Sequence, residues 1–149
     1  MTSVRAARFA AAYALFRAAG DVADHWIQTD HQARIKGHHD HSDGQSSAAG
    51  RKACAAHVAS YTATQAAALL AGSRLLGVRL RPGPVAVALA LSAVTHYVAD
   101  RREPLRRLAD ATGKGNFVRL ADHGMNGAYA LDQAWHHAAE TCAALIASA

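Results

Sequence analysis

The segment 85–100, VAVALALSAVTHYVAD, constrains the fold most strongly, because it is apolar on nearly every side and still contains two ionisable residues. A helix of this kind must be surrounded by protein, so His96 and Asp100 are expected to be interior groups. An ionised aspartate in a protein core is costly unless it is paired or bound to a cation. The sequence therefore predicts that another segment supplies a compensating partner.

The composition predicts an all-α protein. Hydrophobic residues, mainly alanine, make up 51% of the 149 residues, aromatic residues make up 6%, and there are only 3 prolines. This balance favours closely packed helices over a β-sandwich. Trp26 and Trp135 are expected to anchor the core. The length excludes a multidomain enzyme. We expect residues 1–149 to form one helical domain, a four-helix bundle with a short extra helix and two long polar loops.

Glycine and proline positions divide the chain into segments. Four long helices are expected over about 3–36, 51–76, 84–102 and 128–147, with a short basic helix over 105–111. Two polar loops separate them, over residues 37–50 and 112–127. The first loop reads GHHDHSDGQSSAAG and the second reads TGKGNFVRLADHGMNG.

The sequence also predicts the compartment. The longest nearly uncharged stretch, 84–99, is shorter than the roughly twenty residues that a membrane-spanning helix needs, so no transmembrane span is expected. Cys54 and Cys142 have no metal-binding or disulfide-framework spacing, which is typical of free thiols in a reducing environment. We expect a cytoplasmic protein, with membrane-peripheral association as the open alternative.

Each long segment carries one row of polar residues on an otherwise alanine-rich surface, at the spacing of four that places side chains on one helical face. In the first segment, Asp24 with Gln28 is the favoured inner pair, and Asp21 with His25 is the alternative. The rows of the other segments are His57, Tyr61 and Gln65; His96 and Asp100; and Asp132, His136 and Glu140. Four such rows predict a shared polar centre between the helices.

The residue types in these rows indicate a metal site, since imidazole and carboxylate are ligands of divalent zinc, manganese or iron. The predicted metal ligands are His57, His96, Asp100 and His136. Asp24 and Asp132 are the predicted general bases or additional ligands. A bound ion would generate a hydroxide nucleophile, so the pattern predicts a metal-dependent hydrolase. A single pair such as His96 and Asp100 is also typical of a hydrogen-bonded core pair that binds nothing.

A basic run, RREPLRR, directly follows Asp100 and gives much of the formal charge of +5. Arg101 and Arg102, with Gln28, are predicted to hold a phosphorylated or otherwise anionic substrate. The run is equally typical of a charged helix end that complements the helix dipole. The alternative function is a non-catalytic binding or regulatory protein whose basic patch contacts nucleic acid or an acidic partner.

The histidine-rich segment 38–44, HHDHSDG, has the composition of a metal-binding tract. Loop ligands without supporting hydrogen bonds bind metals loosely, so a solvated, mobile loop is the favoured interpretation. A lid over the site is the alternative.

Four stretches of the chain resemble the bacterial and phage family called domain of unknown function 3307, especially its actinobacterial members. They read DHWIQTDHQARIKG, CAAHVASYTATQ, AVTHYVADRR and LDQAWHH. The most specific elements are D-x-x-x-Q-T at 24–29, T-H-x-x-x-D at 95–100 and D-Q-x-x-H at 132–136. The likeness covers most of the chain.

The resemblance implies a small helical protein, loosely similar to predicted membrane-bound metal-dependent hydrolases. It implies a shared centre made of Asp24, Gln28, His57, His96, Asp100, Asp132 and His136. This chain differs from the more hydrophobic, often membrane-embedded members in its many alanines, its basic charge and its lack of a full spanning segment. It also has Gly20 where many members carry a histidine one turn before the first aspartate.

Overall fold

The structure, a computed structural model, describes residues 2–149. Within this range every regular element is helical and no strand occurs, so the predicted all-α class is confirmed. The helices are α1 (Thr2–Val22), α2 (Asp30–Ile35), α3 (Ser47–Leu75), α4 (Pro82–Asp100), α5 (Glu103–Ala111), α6 (Gly115–Val118) and α7 (Gly127–Ala147). A π-helical turn, Ala23–Ile27, extends α1.

The four long helices pack around a common interior. Helix α1 contacts α3 and α7, and α4 also contacts α3 and α7. An apolar core fills one part of the interior and consists of Ala12, Phe16, Leu69, Ala88, Ala143, Ala144 and Ala147. Because most of these side chains are single methyl groups, the helices approach closely, and polar side chains on different helices come within reach of one another.

The first segment is not the continuous helix expected over 3–36. The backbone N–H of Gln28 donates to the carbonyl of Ala23 at 2.9 Å, which closes the π-helical turn, and the chain is extended at Gln28 with ψ at 130°. Thr29 then starts α2 with a capping box, in which its hydroxyl accepts from the Gln32 N–H and its own N–H donates to the Gln32 side chain. The break therefore has a signal in the sequence, the Thr-x-x-Gln pattern of a helix start.

Both polar loops are shorter than predicted. Helix α3 begins at Ser47 rather than at residue 51, because the side chain of Ser46 caps it by accepting from the Ala49 N–H. The second loop contains the short helix α6, and Asn126 caps α7 by accepting from the Tyr129 N–H. Both caps lie inside glycine-rich and serine-rich stretches, which are typical of loops, so the sequence did not indicate these helix starts.

The expectation that α4 is surrounded by protein is wrong. Val87 and Val94 are 57% and 63% exposed, and the buried residues of α4 lie on one face, from Ala88 to Asp100. Among the described residues, α4 is the one helix long and apolar enough to cross a membrane by length and composition, and 22% of that stretch is buried. One face of α4 packs against α3 and α7, and the opposite apolar face is open.

The tryptophans also differ from expectation. Trp26 is 84% exposed, because the π-helical turn places it on the outer side of the protein, and it does not anchor the core. Trp135 is partly buried and donates its indole N–H to the carbonyl of Thr95 at 3.0 Å, which ties α7 to α4. The cysteines are free, Cys54 buried and Cys142 exposed, and burial raises the pKa of the Cys54 thiol to about 12.

Replacing Gly127 tests the packing of α6 against α7. A Cβ at this position would overlap the carbonyl oxygen of Phe117, a backbone atom that cannot rotate away. We expect Gly127→Ala to lower the free energy of unfolding by about 1–3 kcal/mol in urea denaturation. Gly83→Ala is the matched control in the first turn of α4, where a Cβ meets nothing within 4 Å. It should leave stability unchanged or raise it by up to about 1 kcal/mol. Equal losses in the two variants would contradict this packing.

Candidate metal centre

Histidine and aspartate side chains from four elements meet in the interior. They come from the π-helical turn, α3, α4 and α7, and they are Asp24, His57, His96, Asp100, Asp132 and His136. His57, His96, Asp100 and His136 are at most 3% exposed. The side chain of Asp24 is 13% exposed and that of Asp132 is 28% exposed, so these two connect the buried group to solvent.

Nε2 of His57 and Nε2 of His96 each lie close to one oxygen of Asp24 and one oxygen of Asp100. Nε2 of His57 lies 3.0 Å from Oδ1 of Asp24, 3.0 Å from Nε2 of His96 and 3.4 Å from Oδ2 of Asp100. Nε2 of His96 lies 3.1 Å from Oδ2 of Asp100 and 3.5 Å from Oδ1 of Asp24. Four donors at tetrahedral positions about 2.0–2.1 Å from one ion are separated by about 3.3–3.4 Å. The five separations that involve an imidazole nitrogen, 3.0–3.5 Å, lie on both sides of that value, and His57, His96 and Asp100 form one possible ligand set.

Hydrogen bonding alone satisfies this group poorly. If both Nε2 atoms carry protons, two N–H groups point at each other across 3.0 Å. If only one carries a proton, the second imidazole gives no hydrogen to either carboxylate. A cation beside His57, His96 and Asp100, whose ligand atoms lie within 4.8 Å of one another, would interact favourably with all three. The structure therefore contains a His/Asp group that can hold a metal ion.

His136 presents a free lone pair beside this group. Its Nδ1 lies 2.7 Å from the carbonyl oxygen of Asp132, and since a carbonyl only accepts, Nδ1 must donate. In the neutral ring the lone pair then lies on Nε2, which is buried and has no partner among the described residues. His136 forms one possible ligand set with Asp24 and His96 and another with Asp100 and Asp132, each with ligand atoms within 4.8 Å. A histidine oriented by a backbone carbonyl is typical of metal ligands.

The charges around the centre separate the carboxylates into two types. Burial opposes ionisation of Asp100, but hydrogen bonds from His96 and Lys36 hold its pKa well below the ordinary value. Burial likewise opposes ionisation of Asp24, and the hydrogen bond from His57 holds its pKa below the ordinary value. Burial raises the pKa of Asp132 and is not fully offset by His136. Asp24 and Asp100 are thus the anionic members, and Asp132 has the higher proton affinity.

Lys36 is a member of the centre that the sequence analysis missed. Its ammonium lies 2.7 Å from Oδ1 of Asp100, and its side chain is 14% exposed. Lys36 is the C-terminal cap of α2, so its position depends on the break after the π-helical turn rather than on helical spacing. Lys36 continues the four-residue row of Asp24 and Gln28, but the break after Gln28 interrupts that helix, so spacing alone does not place Lys36 at Asp100.

A second polar layer supports the ligands. Glu140 is 1% exposed; its Oε1 accepts from the Tyr61 hydroxyl at 2.7 Å and from the Gln65 amide at 3.3 Å, and its Oε2 accepts from Arg17. The Tyr61 ring lies on the His96 ring with centroids 3.8 Å apart. A Cβ at Gly20 would overlap Oε1 of Glu140. The carboxylate therefore occupies the space of a side chain at position 20.

A cavity of about 510 Å³ connects the centre to solvent. Asp24, Asp100 and Asp132 lie at its inner end, and Gln28 lines its wall. The Nε2 of Gln28 is buried and has no partner in the described region, so this amide N–H group is available to a ligand. The cationic lining residues are Lys36, Arg102 and Arg106. The cavity thus has carboxylates at its inner end and cationic side chains in its lining.

Arg101 does not line this cavity. It is 7% exposed, and its guanidinium donates to the carbonyls of Lys36 and His38. It binds the protein's own loop rather than facing solvent, which differs from its predicted role in holding substrate. The cavity lining contains no residue from 37–46, so the histidine-rich loop is not placed as a lid.

The alternative inner pair of the first segment lies outside. The side chain of Asp21 is 52% exposed and pairs with Arg17. The ring of His25 is exposed; Nδ1 donates to the carbonyl of Asp21, and Nε2 accepts from the Tyr129 hydroxyl at 3.1 Å. Asp24 and Gln28 face the centre and the cavity instead.

Comparisons with known proteins add no function. No protein-family model, no curated protein and no solved structure matches this chain. The resemblance to domain of unknown function 3307 therefore stays a prediction.

Two tyrosines allow a matched test of the supporting layer. Tyr61→Phe removes a buried hydrogen bond to Glu140, and we expect it to lower the free energy of unfolding by about 1.5–3 kcal/mol. Tyr129→Phe removes an exposed hydrogen bond to His25 and should cost about 0.5 kcal/mol or less. Denaturant unfolding of both variants measures the difference. Similar small losses would contradict a supporting role for the Tyr61 hydroxyl.

Proposed function

We propose that the protein is a metal-dependent hydrolase of phosphorylated or otherwise anionic substrates, with its centre inside a four-helix bundle formed by α1, α3, α4 and α7. The observation that carries the proposal is that Nε2 of His57 and Nε2 of His96 lie 3.0–3.5 Å from Asp24, from Asp100 and from each other, beside a cationic cavity. Buried ionisable groups at the inner end of a cavity are typical of catalytic sites.

His57, His96 and Asp100 are the proposed ligands, with Asp24 as the fourth. His136 adds a lone pair to the group and forms a further possible ligand set with Asp24 and His96. Two imidazoles with two carboxylates suit zinc, manganese or iron, and the ligand set does not choose among them. A bound divalent ion lowers the pKa of coordinated water from about 15.7 to about 7.

Asp132 is the proposed general base. It lies at the inner end of the cavity, and burial raises its pKa above the ordinary value, which brings its proton affinity closer to that of a group working near neutral pH. Asp24, by contrast, is closely engaged with His57 and is assigned to the ligands.

The proposed substrate is a phosphoester, because three cationic side chains line the cavity. Lys36 already faces Asp100, and Arg102 donates one N–H to the carbonyl of Ala33, which leaves its other donors for a ligand. Arg106 lines the cavity and forms no ion pair within the described part of the chain. Such groups bind phosphate oxygens and stabilise the negative charge that develops on them.

The non-catalytic alternative depends on the basic run as a surface patch. Arg101 is buried and Arg107 pairs with Glu103, so two of the four arginines are engaged within the protein. This reduces the charge available to nucleic acid or an acidic partner and favours the hydrolase proposal.

Metal content tests the centre directly. Protein purified without an affinity tag should contain at least about one equivalent of zinc, manganese or iron by elemental analysis, and chelation should lower its melting temperature. The His96→Ala, Asp100→Ala double variant should lose this metal. His137→Ala, at the exposed neighbour of His136, is the control and should retain it. Metal-free protein of full thermal stability would contradict the proposal and support the non-catalytic alternative.

Hydrolysis of aryl phosphate monoesters and diesters by metal-loaded protein tests the reaction. Asp132→Asn should lower kcat by about 10²–10⁴-fold because the general base is lost. Arg106→Ala should raise KM, whereas Arg107→Ala, outside the cavity, should leave both constants unchanged. Absence of hydrolysis of both esters would contradict phosphoester chemistry even if the metal is present.

A further inference from the structure

The loop between α2 and α3 is bound to the end of α4 through Arg101. The guanidinium of Arg101 donates to the carbonyl of His38 at 2.6 Å and to that of Lys36. In the opposite direction, Nε2 of His39 lies 2.9 Å from the carbonyl oxygen of Arg101. The loop predicted to be solvated and mobile is therefore held in place on this side.

The contact with the Arg101 carbonyl fixes the tautomer of His39. A carbonyl oxygen only accepts, so Nε2 must donate, and the neutral ring keeps its lone pair on Nδ1. Nδ1 lies 3.6 Å from Oε2 of Glu103, which is also an acceptor. Two acceptors face each other at this distance, and the side chains of His39 and Glu103 are 20% and 31% exposed.

A third ligand completes this arrangement. The ring of His41 stacks on that of His39, with centroids 5.1 Å apart and planes inclined by 21°. His39, His41 and Glu103 each offer one atom, and the three atoms lie within 4.8 Å of one another. Two imidazoles and a carboxylate, with water in a fourth position, form a ligand set that zinc accepts.

We propose that His39, His41 and Glu103 form a second metal site, which takes a divalent ion of the zinc type. The site is built from residues outside the interior centre, and one ligand is oriented by a backbone carbonyl, as metal-binding histidines commonly are. Glu103 is itself held by Arg107 in the first turn of α5. The ion links the loop to the start of α5.

The outer site binds a metal ion less tightly than the interior centre. Nη2 of Arg101 lies 3.2 Å from Nδ1 of His39, so an ion displaces that contact and binds beside a positive charge. Arg101 keeps its two bonds to loop carbonyls when this happens. The outer ion therefore stabilises the loop that holds Arg101, the residue directly after the interior ligand Asp100.

Zinc titration of untagged, metal-free protein by calorimetry tests the proposal. The expected result is a tight class of sites and a separate, weaker class. His41→Ala removes one outer ligand and should raise the Kd of the weaker class by about tenfold or more, with the tight class unchanged. His38→Ala is the matched control in the same loop, because its side chain is not among the three ligands and its backbone carbonyl remains.

Glu103→Gln provides a second variant on a different element and should weaken the same class. The outer site is overturned if His41→Ala and Glu103→Gln titrate like the unsubstituted protein, or if His38→Ala weakens zinc binding as much as His41→Ala. The His96→Ala, Asp100→Ala double variant should lose the tight class and keep the weaker one. Failure of the interior centre and failure of the outer site therefore give different titrations.

Discussion

Two buried imidazoles, each within 3.0–3.5 Å of two carboxylates, are the constraint on which the rest of the structure depends. Removing a carboxylate from water costs several kcal/mol, so Asp100 and Asp24 require compensation. Lys36 supplies it to one oxygen of Asp100 and leaves the other facing the histidines. A proton on His96 is a poor second cation, because burial lowers its pKa. A divalent ion beside Asp100 would supply the positive charge that a protonated His96 does not, which is the physical reason that this His/Asp group could hold a metal ion.

The alanine-rich composition makes such a centre possible. Methyl side chains at the contacts, such as Ala88 and Ala143, let the long helices approach until ligands on different helices meet. Larger groups are used where they serve the centre: the Tyr61 ring covers His96, and its hydroxyl fixes Glu140. Glu140 occupies the space beside Gly20, so the absence of a side chain at position 20 is coupled to a carboxylate from α7. The residues of the supporting layer and those of the His/Asp group therefore fix each other's positions.

Helical spacing predicted the residues that lie one turn apart on continuous helices. His96 with Asp100 on α4 and Asp132 with His136 on α7 do lie on one face, and Asp24, from the favoured inner pair of the first segment, contacts the buried histidines while Asp21 is exposed. Helical spacing did not predict the contacts of residues whose positions depend on a break between helices. Lys36 reaches Asp100 only because α2 starts anew after Gln28, and Arg101 turns inward because the loop offers carbonyls to it. The residue types at Lys36 and Arg101 predict positive charges, but only the tertiary structure determines which groups these charges bind.

Arg101 explains why two stretches that looked independent in sequence form one unit. The histidine-rich loop alone lacks the hydrogen bonds that orient ligands, and the basic run alone is typical of a solvated helix end. Once Arg101 is buried against the carbonyls of Lys36 and His38, its own carbonyl orients His39 toward Glu103. The same arginine follows Asp100 in the chain and binds the carbonyl of Lys36, whose ammonium contacts Asp100. The loop and the interior carboxylate are therefore connected through two side chains, those of Arg101 and Lys36.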